Sequence, residues 1–127
     1  MDDVTNKAHV LLVDDEPGVR DSIALLLELE GYRVTQAPDG QEAWELLGQA
    51  RPDLVISDYM MPRLNGRQLA ERLRSDPTLE DIPILLMSGA LPPAVDPAAI
   101  ADGFLQKPAS FAHLNQMVEL LLSRAAD

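Results

Sequence analysis

Short strand-like runs alternate with amphipathic stretches along almost the whole of this chain. The runs are "HVLLV" (9–13), "YRVTQA" (32–37), "LVIS" (54–57), "ILLMS" (84–88) and "GFLQ" (103–106). Apolar or alternating runs of four to six residues predict strands, whereas the stretches between them have the spacing of helices. This alternation predicts an α/β fold with a doubly wound, five-stranded parallel sheet covered by helices on both faces.

Capping residues mark where the predicted helices begin and end. Pro17 opens the first helix and Gly31 ends it, as expected from the preferences of proline for the first turn and of glycine for the position after the last. Asp39 and Ser110 are predicted N-caps of the second helix and of the last one. The third helix is expected to end shortly after Leu73, before an Asp-Pro pair.

The connection between the fourth and fifth strands is unusual. Its sequence, "GALPPAVDPAAIA" (89–101), contains three prolines. Proline removes a backbone donor and clashes with the preceding turn, so it disfavours a regular helix. We therefore predict a short or irregular fourth helix in this segment.

Length and charge narrow the class of protein. With 127 residues and 46% hydrophobic residues, the chain is predicted to form a single domain over 1–127, with a core at about 8–123 and a polar tail at 1–7. The net charge of −11 disfavours direct binding to nucleic acid or to anionic membranes. The absence of cysteine, of a signal peptide and of long apolar runs predicts a cytoplasmic protein.

Polar residues follow four of the five predicted strands. Asp14 and Asp15 follow the first strand, Asp58 the third, Ser88 ends the fourth, and Lys107 follows the fifth. The second strand, which ends near residues 37–38, is expected to contribute no polar side chain to this group. Since the carboxyl ends of parallel strands meet at one edge of the sheet, these side chains are predicted to lie together, where such folds bind ligands.

The charges of this set indicate a divalent cation. Three clustered carboxylates repel one another and would raise one another's pKa values. Mg²⁺ prefers oxygen ligands and is typically held by one or two carboxylates. Three aspartates, one Mg²⁺ and Lys107 sum to zero charge, and phosphoryl transfer likewise uses a cation and a lysine to neutralise oxygens. An aspartate is also able to act as the nucleophile and form an acyl phosphate.

The segments "VLLVDDE", "LVISDYMMPRLNG", "LLMSGA" and "FLQKP", in this order, resemble the receiver domain of bacterial response regulators in two-component phosphorelays, of the chemotaxis-receiver type. The resemblance covers about residues 8–123. It implies a flavodoxin-like (βα)5 fold and a phosphoprotein that receives its phosphoryl group from a histidine kinase or a histidine phosphotransfer protein.

The resemblance also implies roles for the acidic residues. Asp58 is the expected phospho-acceptor and a metal ligand. Asp15 would bind Mg²⁺ directly, with Mn²⁺ as an alternative ion, and Asp14 would act mainly through water. The backbone carbonyl of Met60 would complete the protein ligands. Met60 is further expected to be exposed and to limit the access of water to the acyl phosphate, whereas Met61 is expected to be packed.

The remaining site residues follow from the same resemblance. Lys107 would pair with the phosphoryl oxygens, and Ser88 would donate a hydrogen bond to the phosphoryl group and move its loop inward. Phe104 matches the switch aromatic of the family, which changes between exposed and buried rotamers. The bond before Pro108 is expected to be cis.

Each residue alone has a simpler reading. Asp14 and Asp15 would serve equally as capping charges before a helix, and Asp58 as a turn residue. Lys107 alone reads as a solvated surface residue, and Phe104 as core. Their convergence on one sheet edge favours the functional interpretation. The sequence departs from the family at two places: Ser88 replaces the commoner threonine, and the interval to Lys107 is shorter than usual.

The leading prediction is a phosphorylation-controlled switch that works through a protein-interaction surface, as a monomer or weak dimer. It would be a stand-alone regulator, or a receiver excised from a hybrid histidine kinase or another multidomain regulator. A phosphohydrolase would need a second acid two residues after Asp58, where the chain has Met60. We therefore expect no turnover of external substrates. A phosphorylation-independent scaffold is the remaining alternative.

Overall fold

The computed structural model describes residues 8–61, 63–89, 101–107 and 109–126. Within these residues the chain forms, in order, β1 (His9–Val13), α1 (Pro17–Leu29), β2 (Arg33–Ala37), α2 (Gly40–Leu47), β3 (Leu54–Asp58), α3 (Gly66–Arg74), β4 (Ile84–Ser88), β5 (Gly103–Gln106) and α4 (Phe111–Ala126). The strands make one parallel sheet in the order β2-β1-β3-β4-β5. The predicted five-stranded parallel sheet is thereby confirmed.

Helices cover both faces of the sheet, which explains why the central strands are apolar up to their carboxyl ends. Alternate residues of β1, β3 and β4 point to opposite faces. One face packs against α2 and α3 through Ala43, Leu47, Leu69 and Leu73. The other face packs against α1 and α4, and its helical core residues are Ala24, Leu27, Leu114, Val118 and Leu121. The sheet is therefore doubly wound.

The predicted caps are present. The side chain of Asp39 accepts the N–H of Glu42 at 2.9 Å, and the hydroxyl of Ser110 accepts the N–H of His113 at 3.1 Å. Gly31 follows α1 with a φ of 101°, a left-handed conformation that glycine adopts without strain. These contacts fix the ends of three helices.

Element boundaries differ from the predicted ones by up to three residues. The second strand begins at Arg33, the third strand includes Asp58, and α2 ends at Leu47 because Gly48 closes it. The short or irregular fourth helix was predicted within 89–101, and residues 90–100 of that segment lie outside the described residues. None of the helices in the described part has both the length and the apolarity needed to cross a bilayer.

Candidate functional site

Two aspartates leave the sheet side by side at its carboxyl edge. Val13 of β1 pairs with Ser57 of β3, so the residues that follow them, Asp14 and Asp58, are neighbours. The chain order of the strands reverses between β1 and β3, which is where open α/β sheets form a crevice. Asp14 is 1% exposed and Asp58 is 8% exposed, whereas Asp15 lies at the surface. The crevice thus begins with two nearly buried carboxylates.

The side chains of Asp14, Asp15 and Asp58 form a group that we call the acidic cluster. One oxygen of each residue lies within 4.8 Å of the others. The Nζ atom of Lys107 is 3.3 Å from Oδ2 of Asp58 and 3.5 Å from Oδ2 of Asp14, so it bridges the two buried members. Three carboxylates and one ammonium leave two uncompensated negative charges, which suits a divalent cation with oxygen ligands.

Hydrogen bonds with β2, with the loop after β1 and with α1 hold Asp14 in place. Its N–H donates to the carbonyl of Ala37 at 3.1 Å, and its Oδ1 atom accepts the N–H of Glu16 at 2.9 Å. Nη1 of Arg20 donates to the backbone carbonyl of Asp14 at 2.8 Å. Because the loop occupies Oδ1, Oδ2 is the oxygen that Lys107 approaches.

The main chain attaches Lys107 to the end of β4. Its N–H donates to the carbonyl of Ser88 at 2.9 Å, and Nε2 of Gln106 donates to the carbonyl of Gly89 at 3.3 Å. Ser88 is 3% exposed and is the last residue of its strand. The structure therefore brings the predicted hydroxyl residue and the predicted lysine to one point of the edge.

Burial and neighbouring charges shift the pKa values of two members of the site. Burial raises the pKa of Asp58; the ammonium of Lys107 lowers it in part, and the charge of Asp14 raises it further. For Lys107, burial alone would lower the pKa, but Asp58 and Asp14 outweigh it and hold the pKa above its ordinary value. Lys107 is therefore charged at neutral pH, whereas burial opposes the ionisation of Asp58 and Lys107 favours it.

The loop that follows β3, residues 59–61 and 63–65, is called the acceptor loop below; Pro62 lies outside the described residues. The N–H of Tyr59 donates to the carbonyl of Met87 at 2.8 Å, which ties the start of the loop to β4. Met60 is 61% exposed, and Met61 packs against the α2–α3 face of the core. The predicted placements of both methionines are confirmed.

Other predicted site residues are placed less directly. Phe104 of β5 is half-buried and packs against the same face of the core as Met61. Its role as a switch stays a prediction, as does the role of the Met60 carbonyl as a ligand. The predicted cis bond at Pro108 lies outside the described residues.

One contact of the site edge was not predicted. Nη2 of Arg63, in the acceptor loop, lies 2.5 Å from Oδ2 of Asp39, the N-cap of α2. The N–H of Glu42 and then the guanidinium of Arg63 hold the pKa of the Asp39 carboxyl below its ordinary value. Asp39 is not a member of the acidic cluster, so this contact lies beside the predicted site and adds no residue to it. Its carboxylate follows β2 and reaches the acceptor loop, which a capping motif alone does not reveal.

Comparisons with known proteins agree with this geometry. A family model described as "Response regulator receiver domain" matches residues 10–119. The response regulator MprA of Mycolicibacterium vanbaalenii is 39% identical over 119 residues, which cover 91% of this chain and 51% of that protein. The response regulator Rre1 of Synechocystis is 39% identical over 119 residues, which cover 91% of this chain and 52% of that protein. The chain thus spans about half the length of these relatives.

Two solved structures are similar to this chain over more than nine-tenths of their own length. The signal receiver domain of a signal transduction histidine kinase from Syntrophus aciditrophicus has a TM-score of 0.85 and 33% identity, with 92% of this chain and 91% of that chain covered. The response regulator protein TrrA from Thermotoga maritima was solved in complex with Mg(2+)-BeF. It has a TM-score of 0.82 and 30% identity, with 91% of this chain and 99% of that chain covered.

Proposed function

Because this chain belongs to the family of response regulator receiver domains, we propose that it is a phospho-accepting switch whose acceptor is Asp58. The observation that carries the proposal is the position of Lys107, whose ammonium lies 3.3 Å from Asp58 and 3.5 Å from Asp14. An acceptor site needs a nucleophilic oxygen and positive charge to balance the phosphoryl oxygens. The edge of this sheet supplies the oxygen and the first cation.

In the proposed reaction, a carboxylate oxygen of Asp58 attacks the phosphorus of a phosphohistidine on a donor protein. The O–P bond forms as the N–P bond breaks, and the electron pair of the broken bond remains on the imidazole nitrogen. Asp58 has to be ionised to attack. Its burial opposes ionisation, and the charge of Lys107 favours it. Lys107 then balances the charge of the transferred phosphoryl oxygens.

The donor set of the acidic cluster fits Mg²⁺, with Mn²⁺ as an alternative. Its three carboxylates present oxygen atoms within 4.8 Å of one another, and one of the three residues is exposed enough to retain water around an ion. Asp15 and Asp58 would hold the ion directly, Asp14 through water, and Met60 through its backbone carbonyl. When bound, the ion would neutralise phosphoryl oxygens. The Mg(2+)-BeF complex of TrrA supports this assignment.

The output is proposed to start from Ser88. A phosphoryl group adds about 1.5 to 2 negative charges and three acceptor oxygens to Asp58. The hydroxyl of Ser88 would donate to one of these oxygens and draw the end of β4 inward. Phe104, half-buried on the neighbouring strand, would then change its rotamer. The result is a two-state protein surface whose populations depend on phosphorylation.

The donor is proposed to approach beside Lys107. A groove of about 650 Å³ opens there and is lined by residues of α1 and α4. Val19 and Leu26 on its α1 side are 39% and 38% exposed, so the groove offers apolar surface to a partner. Lys107 lines this groove and also lies 3.3 Å from Asp58, so the groove borders the proposed acceptor. We assign the groove to the helix of a histidine kinase or phosphotransfer protein that carries the phosphohistidine.

The target of the switch is proposed to be a protein. A relative of this chain, RpaA of Synechocystis, is described as a DNA-binding regulator, and the chain matches 49% of its length. The net charge of −11 disfavours direct contact between this chain and DNA. We also propose that the chain turns over no external substrate, because Met60 stands where a phosphohydrolase would have its general acid.

Phosphorylation by acetyl phosphate tests the proposal. With Mg²⁺ present, intact mass spectrometry is expected to show one added phosphoryl group per chain. The adduct should be absent with EDTA and absent in Asp58→Ala. The exposed Asp21 of α1 provides a matched control, since Asp21→Ala should accept the group normally. An adduct that persists in Asp58→Ala, or no adduct at all in the unaltered protein, would reject the assignment.

Met60 is expected to prolong the phosphorylated state. Its side chain is exposed and lies two positions after Asp58, where we expect it to limit the access of water; an amide that orients water should therefore speed hydrolysis. For Met60→Asn we expect dephosphorylation about tenfold faster, below the contribution of a true general base. Decay is followed by intact mass after removal of acetyl phosphate. Leu29→Asn, at a 73% exposed leucine at the far end of α1, is the control. Equal decay rates in the two variants would contradict the prediction.

A further inference from the structure

Arg63 has a backbone conformation that its side chain disfavours. Its φ angle is 66°, and it is the one non-glycine residue with a positive φ in the described part of the chain. The left-handed region brings Cβ close to the carbonyl that follows, so only glycine and, less often, asparagine or aspartate adopt it readily. Such a conformation persists where surrounding contacts hold it.

The side chain of Arg63 supplies one of those contacts. Its guanidinium pairs with Oδ2 of Asp39, while Oδ1 of the same carboxylate accepts the N–H of Glu42 in the first turn of α2. The side chain of Asp39 is 11% exposed, so its position is fixed by the helix that it caps. The acceptor loop is thereby tied to a rigid element through one ion pair.

Close backbone contacts surround the ion pair on both sides. A Cβ atom on Gly40 would lie 2.1 Å from the carbonyl oxygen of Leu64, and one on Gly66 would lie 2.5 Å from the carbonyl oxygen of Asp58. The N–H of Gly66 also donates to the carbonyl of Tyr59 at 2.9 Å, which closes the loop on itself. The acceptor loop therefore lies directly against α2, and Gly66, the first residue of α3, lies against the backbone of Asp58.

We propose that Arg63 is a positioning residue for the metal site: its ion pair with Asp39 holds the acceptor loop, and with it the Met60 carbonyl, in the geometry that binds Mg²⁺. The inference rests on the proposed function, since the ion and the carbonyl ligand belong to it. Arg63 touches neither the ion nor the phosphoryl group in this account. It acts only through the conformation of the loop.

Long-range electrostatics predicts a different outcome, which makes the proposal testable. Loss of the positive charge of Arg63 would, by charge alone, strengthen the binding of a cation, and loss of the negative charge of Asp39 would weaken it. Loss of the positioning contact weakens Mg²⁺ binding in both cases. The sign of the effect at Arg63 therefore separates the two explanations.

The test compares Mg²⁺ binding by calorimetry in Arg63→Gly, Asp39→Asn and the double variant. Glycine accepts the positive φ, and asparagine caps a helix as well as aspartate does. We expect the Mg²⁺ dissociation constant to rise about fivefold in each single variant, below the tenfold or more usual for direct partners of metal ligands. The double variant should show the same rise and not the product of the two.

Two further variants serve as controls. Arg63→Lys should restore binding to within about twofold, because the contact uses a single nitrogen atom that an ammonium is able to replace. Arg67→Ala removes the same charge from an exposed pair with Glu71 on α3 and should not weaken binding. Urea unfolding establishes that each variant is folded. At saturating Mg²⁺, Arg63→Gly and Asp39→Asn should be phosphorylated at the same rate as the unaltered protein. Only the Mg²⁺ concentration that they need for phosphorylation should rise.

Specific results would overturn the inference. If Arg63→Gly binds Mg²⁺ as tightly as Arg67→Ala, or if Arg63→Gly and Asp39→Asn shift binding in opposite directions, the loop is not positioned by this pair. Failure of the proposed function looks different. In that case the unaltered protein takes no phosphoryl group from acetyl phosphate, whereas the comparison of Mg²⁺ dissociation constants among the variants remains measurable.

Discussion

Replacing Gly40 with alanine is expected to lower the free energy of unfolding by about 3 kcal/mol, the upper end of what overpacking usually costs. The added Cβ atom would lie 2.1 Å from the carbonyl oxygen of Leu64 and 2.9 Å from its Cβ atom, both in the acceptor loop. A backbone oxygen is not free to rotate away as a long side chain would. Either α2 or the acceptor loop therefore has to move.

Gly18 offers a matched control for this substitution. Like Gly40 it lies in the first turn of a helix, but a Cβ atom there would meet no heavy atom within 4 Å. Gly18→Ala should therefore stabilise the protein by about 0.5 to 1 kcal/mol, because alanine has the higher helix propensity. Urea denaturation of both variants measures the difference. Equal stabilities of Gly40→Ala and Gly18→Ala would show that the acceptor loop does not press on α2.

The close contact between Gly40 and Leu64 also predicts an effect on Mg²⁺ binding. If the acceptor loop yields in preference to the helix, Gly40→Ala should weaken Mg²⁺ binding as well as stability. Gly18→Ala should leave Mg²⁺ binding unchanged. Stability and metal binding are then coupled through one loop, although neither Gly40 nor Leu64 belongs to the acidic cluster.

Much of the fold follows from local patterns in the sequence. The apolar runs identify the strands, and the caps at Asp39 and Ser110 together with Gly31 give helix ends within a few residues. These signals are local because each depends on the conformation of only a few neighbouring residues. The placement of Asp14, Asp58 and other strand-end residues at one edge then follows from the topology of a parallel sheet.

Contacts between side chains distant in sequence are what the patterns did not reveal. The sequence predicts Asp39 as a helix cap, and the structure confirms this. The second oxygen of its carboxylate also binds Arg63, which is 24 positions away in the sequence. Arg63 carries no turn signal, because arginine is not favoured at positive φ. Only the packing of the acceptor loop on α2 brings the two together. Such a contact depends on the final geometry of two elements and has no local signature.

Removing the ammonium of Lys107 is expected to destabilise the protein at neutral pH when Mg²⁺ is absent. Lys107→Met retains the length of the side chain and leaves the nearly buried Asp14 and Asp58 without the ammonium that bridges them. The loss of one partner of a buried pair typically costs 3 to 5 kcal/mol; because Lys107 is 25% exposed, we expect about 2 kcal/mol. Urea unfolding at pH 7 with EDTA measures this loss.

The pH dependence of that loss follows from the shifted pKa of Asp58. Burial already holds the pKa above its ordinary value of 3.8, and removal of Lys107 takes away the group that lowers it. A folded-state pKa above the unfolded one means that stability falls as pH rises through the folded value. The loss caused by Lys107→Met should therefore be largest at neutral pH and shrink as the pH falls toward 3.8.

Asp58→Asn provides the complementary test. It removes a buried charge whose ionisation is unfavourable, so it should stabilise the otherwise unaltered protein by about 1 kcal/mol at pH 7 in EDTA, as is common when a functional residue is replaced. In the Lys107→Met background the gain should be larger, because no cation then compensates the carboxylate. Mg²⁺ should recover part of the loss in Lys107→Met and less of it in the double variant. Equal effects of Asp58→Asn in both backgrounds would mean that Lys107 and Asp58 are not coupled, and the charge balance assigned to this site would be wrong.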